Sequence, residues 1–202
     1  MNEEFWTRIR RLYAALDSLV EFDMSLLKAQ VFESSGSWGV FQDFSGGMGP
    51  EQLTNVMQSA IYNVAHLKDP FKRYAERNGK PVSDVEATVD ESEGLQIVVD
   101  LSNWDKHGEL RRSRSGKSPY LTNINRVLRL VAQSGRGVGL TLNRDGTPRV
   151  VGSGSASAVI VADVIDSGGA KLGEVETFLN AALAAWESLL SKWELDLMLV
   201  QR

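Results

Sequence analysis

The chain has 202 residues, 43% of them hydrophobic and 24% charged, with a formal net charge of −4. That length suits one well-cored domain, and the lack of cysteine excludes disulfides, thiol catalysis and cysteine-ligated zinc. The acidic balance argues against a protein that coats nucleic acid with its whole surface, and no run of about 18 apolar residues could span a membrane.

The opening stretch MNEEFWTRIRRLY alternates charge with apolar residues, unlike a signal peptide, so we expect a cytoplasmic protein. From Glu3 to Glu33 there is no glycine or proline, and Phe5, Ile9, Leu12, Leu16, Leu19, Val20, Leu26 and Leu27 recur near helical spacing. A long helix over 3–33 is expected, its first turn carrying Glu3 and Glu4 at the positive end of the dipole. Residues 34–50, SSGSWGVFQDFSGGMGP, read as a loop whose aromatic residues pack on the body.

Pro50 opens a second helix with Leu53, Val56, Ala60, Val64 and Leu67 as its stripe. Pro70 cannot donate a backbone bond to the carbonyl of His66, so this helical region (50–77) should kink or restart there before Asn78-Gly79 ends it. Ser83 and Glu86 fit a capping box for a short helix toward Asp90. A further helix over 92–107 stops at Gly108.

Between Tyr120 and Leu172 glycine becomes frequent and short β-branched runs appear, with NRDGTP (143–148) as a turn between two of them. This predicts a small antiparallel β insertion over 120–172, although 122–133 fits a strand or a helix. Helical spacing returns from Val175 through Trp186 to Leu197, giving a closing helix over 174–197. The class is α+β. We expect one domain over 1–202, comprising a helical part (1–108), a basic loop with the β insertion (109–172) and the closing helix (173–202).

The helix over 92–107 carries the most informative chemistry. Leu95, Ile97, Val98, Val99, Leu101 and Trp104 cover most of its circumference, so it should be largely buried. A narrow arc holds Asp100, Asn103 and His107, bordered by Lys106. Polar groups kept on a buried helix need partners, because an unpaired one costs about 1–3 kcal/mol. Asn63, His66 and Asp69 form a matching stripe on the second helix, and the two stripes include both histidines of the chain. If they face each other, His107 and His66 could serve as acid and base, with Asn103 and Lys106 beside them, in metal-independent cleavage of a phosphodiester. Equally, Asn63, Asp69 and Asp100 could form a polar bolt that fixes helix register.

Directly after His107 lies the densest positive charge of the sequence. Lys106, Arg111, Arg112, Arg114 and Lys117 stand against Glu109 alone, a run suited to phosphate or nucleic acid or to a solvated loop. No histidine or carboxylate cluster has metal-ligand spacing, GRGVG (135–139) lacks the context of a nucleotide loop, and no cofactor is expected.

HLKD (66–69) and DLSNWDKH (100–107) resemble a signature of a group of uncharacterised bacterial proteins, and ALAAWESLL (182–190) resembles their final helix. That group looks similar to HEPN-type helical domains. The resemblance implies a helical fold and binding of RNA or nucleotide, with RNA cleavage in some members. The ribonuclease members carry an arginine four to six residues before a histidine. In this chain Asn103 and Lys106 precede His107 instead. A different class of function also fits: a non-catalytic interaction or antitoxin-like module, or a homodimer, using the stripe only for folding.

Overall fold

Proline and glycine punctuate the helices where backbone chemistry requires, and long-range strand pairing decides the rest. The computed structural model describes residues 3–21, 23, 29–34, 37–42, 44–108, 112–133, 136–143 and 145–195, with the backbone alone for 30–34 and 37–42. The fold is α+β.

Helix α1 spans Glu3–Asp17 and buries Phe5, Trp6, Ile9 and Leu12. It ends at Asp17 rather than running to residue 33, which corrects the helix expected over 3–33. The reason is pairing with distant chain. In β1 (Val20–Glu21), Val20 lies opposite Val159 and Glu21 opposite Ala158. Strands β2 (Ala29–Ser34) and β3 (Ser37–Gln42) then form an antiparallel hairpin, so the segment expected as a loop over 34–50 contains a strand.

Helix α2 (Pro50–Ala65) begins on proline, whose missing N–H is an orphan in a first turn anyway. Helix α3 (Lys68–Asn78) restarts after a two-residue turn, His66–Leu67. Pro70 falls in its first turn, and the Phe71 N–H donates to the Leu67 carbonyl at 3.0 Å. The break therefore comes just before Pro70 and leaves His66 outside both helices.

Helix α4 (Val82–Glu91) has Pro81 at its N-cap, with no side-chain cap. Ser83 is already inside it, so the capping box is corrected, and Glu86 is released for other partners. Helix α5 (Glu93–His107) is capped by Ser92, whose Oγ accepts the Leu95 N–H at 3.2 Å. Gly108 stops it at φ 70°, its N–H donating to the Trp104 carbonyl at 2.8 Å; this left-handed conformation favours glycine.

The stretch that fitted strand or helix is a strand, β4 (Tyr120–Ala132). Strands β5 (Val138–Leu142) and β6 (Pro148–Gly152) pair antiparallel where the sequence predicts two short strands, and between them the Asn143 N–H donates to the Thr147 carbonyl at 2.8 Å. Strand β7 (Gly154–Ile165) is followed by β8 (Lys171–Glu174), with which it pairs antiparallel. One sheet runs β1-β7-β4, with β8 also on β7. Helix α6 spans Val175–Lys192; the expected end at 197 lies outside the described residues.

The chain divides into two units. The first comprises residues to Leu16, Asn55–Asn123 and those from Ala162 onward. Its core gathers Phe5, Ile9, Ile61, Val64, Phe71, Val89, Leu95, Ile97, Val98, Leu179 and Trp186, each no more than 3% exposed. Phe71 stacks on Trp186 at 4.8 Å and meets Phe5 edge-on at 5.2 Å. The Trp186 indole donates to the Val64 carbonyl at 3.0 Å, which ties α6 to α2. The second unit, Asp17–Thr54 and Ile124–Val161, packs Phe44, Leu128, Leu140 and Val150 against Ala156 and Ala158. Among the described residues no helix is long and apolar enough to cross a membrane.

Helix α5 meets α6 closely at Gly94, where a Cβ would meet the Ala181 Cβ at 2.5 Å and the Phe178 carbonyl oxygen at 3.3 Å. An unhindered Gly→Ala change in a helix gains about 0.5–1 kcal/mol, whereas overpacking costs about 1–3 kcal/mol. Gly94→Ala should therefore lower stability by about 1 kcal/mol in urea denaturation. A gain would show that these helices are not in close contact.

Candidate functional site

The site begins with the helix break before Pro70. His66, in the turn after α2 with its N–H still donating to the Tyr62 carbonyl at 3.0 Å, stacks on Tyr62 one turn back, with ring centroids 4.1 Å apart. Lys106, exposed near the end of α5, donates to His66 Nε2 at 2.6 Å and lies 4.9 Å from the centre of the Tyr62 ring. The buried Ser102 hydroxyl is 3.3 Å from the same Nε2. Burial first, and then the Lys106 charge, pull the His66 pKa below its usual 6.5, with Asp69 opposing them. The ring is therefore neutral at pH 7, and a lone pair on Nε2 to accept the lysine proton places the ring hydrogen on Nδ1.

Two clefts open at His66. One, of about 140 Å³, is lined by His66, Lys68, Asp69, Ser102, Asn103 and Arg114, with Ala65 and Val99. It brings together four residues singled out in the sequence: His66, Asp69, Asn103 and Arg114. Drug-sized ligands occupy about 300–1,000 Å³, so this cleft suits a phosphate-sized group. The other, of about 150 Å³, is lined by Arg8, Tyr62, Asn63, His66, Asp69 and Arg73, with Leu67 and Pro70. Asn63 also donates to the Ser59 carbonyl on its own helix at 2.8 Å. His107 is exposed at the end of α5 and lines neither cleft.

Asp100 has a separate task. Its side chain is buried, and its oxygens accept from Ser113 Oγ at 2.6 Å, Arg114 N at 2.8 Å, Ser115 N at 2.8 Å and Ser115 Oγ at 2.7 Å. The Ser113 hydroxyl in turn accepts the Ser118 N–H at 3.0 Å. Bonds to a charged group contribute about 1.5–3 kcal/mol each, so this carboxylate fixes the loop after α5 as part of the fold.

Two of the loop's cations, Arg114 and Lys117, are met by carboxylates. Arg114 pairs with Glu86 at 2.9 Å and with Asp90 at 2.7 Å, while Lys117 pairs with Glu93. Arg112 is exposed and lines an open hollow with Asp90, Ser113 and Arg114. Arg111 lies outside the described residues. Glu86 also meets Lys68 at 2.8 Å and pairs with Lys72. Hydrogen bonds from Lys68 and then Lys72 bring its carboxyl from the usual 4.5 down to about 2.

Sequence reasoning missed Tyr62, Ser102, Lys68, Lys72 and Glu86. Lys68 and Lys72 stand four apart on α3, a visible signal that they share a face. Nothing in the sequence links that face to Glu86. Among the described residues no group of three or more His, Cys, Asp or Glu is placed to hold a metal. No protein-family model, curated protein or solved structure matches the chain.

Two outcomes follow from this geometry. Asp100→Ala should destabilise the protein by about 3 kcal/mol or more, since it orphans buried donors, and should speed hydrogen exchange at Arg114 and Ser115. Unchanged exchange there would show that Asp100 does not hold the loop.

Because the folded His66 resists protonation, the unfolded chain binds more protons near pH 6.5. Stability is complete above that value and falls as pH drops through it toward the lower folded pKa. In an NMR titration His66 should show a midpoint below 6.5, and Lys106→Met should raise that midpoint only in part, because burial is the larger cause. A wild-type midpoint at or above the usual value would contradict this environment.

Proposed function

We propose that this chain is a cytoplasmic, HEPN-like protein that binds single-stranded RNA, or a related phosphate-bearing ligand, at the face formed by His66, Lys106 and Tyr62 and the cleft beside them. One observation carries the reading. Lys106 is a cation whose described partners are a neutral imidazole and an aromatic ring rather than a carboxylate. Its charge stays available to an incoming phosphate, and phosphate contacts supply most non-specific affinity for nucleic acid by counterion release.

Tyr62 adds the second half of such a site. It is 47% exposed, it is braced by His66, and its π-face can take a base whatever the sequence, as single-strand binders require. Asn103 and Arg114, at the cleft next to it, supply donors to phosphate oxygens.

A second function, a non-catalytic interaction or antitoxin-like module, is favoured by Asp100, whose bonds go to its own loop. That alternative predicts no measurable affinity for RNA.

Anisotropy titrations with a short oligouridylate at two salt concentrations separate the two. Binding should weaken as salt rises. Tyr62→Ala should weaken it by about 1–3 kcal/mol, and Lys106→Ala should reduce both affinity and the salt slope, the latter by about one unit. Affinity indifferent to salt and to both changes would overturn the RNA reading.

A further inference from the structure

Three cations converge on one carboxylate beside the cleft. Lys68 and Lys72 from α3 meet Glu86 Oε1, and Arg114 from the loop meets Oε2. One negative charge cannot balance three positive ones. Asp90 is the only other acid bound to this group in the described structure, and it contacts Arg114 alone, through Nε at 3.1 Å and NH2 at 2.7 Å. Two lysines and an arginine fork around a single oxygen-bearing anion are what a phosphate group needs, with its greater charge and additional acceptor oxygens.

The cluster is also open to exchange. The three cationic side chains are 24–31% exposed and Glu86 is 37% exposed. Lys68 and Arg114 line the same cleft as His66 and Asn103. Arg114 is held in place independently of Glu86, by Asp90 and by the bond from its own N–H to Asp100, so the cluster would keep its form if Glu86 swung outward.

We propose that Lys68, Lys72 and Arg114 form a phosphate subsite that is occupied in the free protein by the chain's own Glu86, an internal stand-in that an incoming phosphate must displace. This rests on the RNA-binding reading above and extends it to an autoinhibitory contact. Glu86 lowers affinity for isolated phosphates and favours polyanions that engage Lys106 and the subsite together, since a tethered second contact acts at high effective concentration.

The test is titration of the full chain with pyrophosphate and with a short oligouridylate. Glu86→Gln should bind both at least about tenfold more tightly than wild type, a change of about 1.4 kcal/mol. Lys72→Ala in the Glu86→Gln background should reverse the gain. Glu76→Gln removes the same charge from an exposed position on α3 and should change affinity less than about twofold, consistent with the weakness of exposed charge effects. Glu86→Asp keeps the charge while shortening its reach, and should tighten binding to an intermediate degree even if the Gln variant is poorly folded.

If Glu86→Gln and Glu86→Asp bind no better than Glu76→Gln while wild type binds through Lys106, occlusion is wrong and the RNA reading survives. If neither wild type nor any Glu86 variant binds either probe, both proposals fail.

Discussion

The buried carboxylate of Asp100 is the constraint from which the rest of the site follows. A charge taken out of water must be met by donors, or its desolvation of several kcal/mol is left unbalanced. Four donors from Ser113, Arg114 and Ser115 meet this one, and in doing so they hold residues 113–115 against α5. Residues 113–115, in a run that could have been solvated, are thereby held to the protein. Their direction is then fixed, and Arg114 reaches α4, where Glu86 and Asp90 receive it.

The same constraint changes the meaning of the basic run. Arg114 and Lys117 are matched to carboxylates on α4 and α5. Lys106 instead lies beside the neutral imidazole of His66 and the ring of Tyr62. His66 faces Lys106 because the chain breaks just before Pro70, where a proline can open a helix but not continue one. A helix break and a buried acid therefore bring His66, Lys68 and Arg114 to one cleft, with Lys106 bonded to His66.

How much of this was legible in the sequence depends on the range of the interaction. Ser92, Gly108, Pro50 and Asn78-Gly79 act on their own neighbours, and the helix ends they signal are where the structure has them. The stripe of α5 was readable for the same reason. The strands within 18–33 were not, because apolar spacing without glycine or proline permits a helix without requiring one. The pairing of Val20 with Val159 depends on chain more than a hundred positions away. In the site, His66, Asn103 and Lys106 were legible as candidates, but their partners were not. Asp100, whose spacing suggests a partner in the α2 stripe, bonds in the fold to its own loop. Glu86, which fits a capping box by spacing, serves as the meeting point of three cations.

The claim that ligand engages the His66–Lys106 face can be tested on the two histidines themselves, since the chain contains only two. In an imidazole-detected NMR titration with a short oligouridylate, the His66 resonances should shift saturably while those of exposed His107 stay nearly fixed, and the shift should disappear in Lys106→Ala. Absence of any His66 shift at saturating oligonucleotide, or an equal response of His66 and His107 that persists without Lys106, would contradict the account.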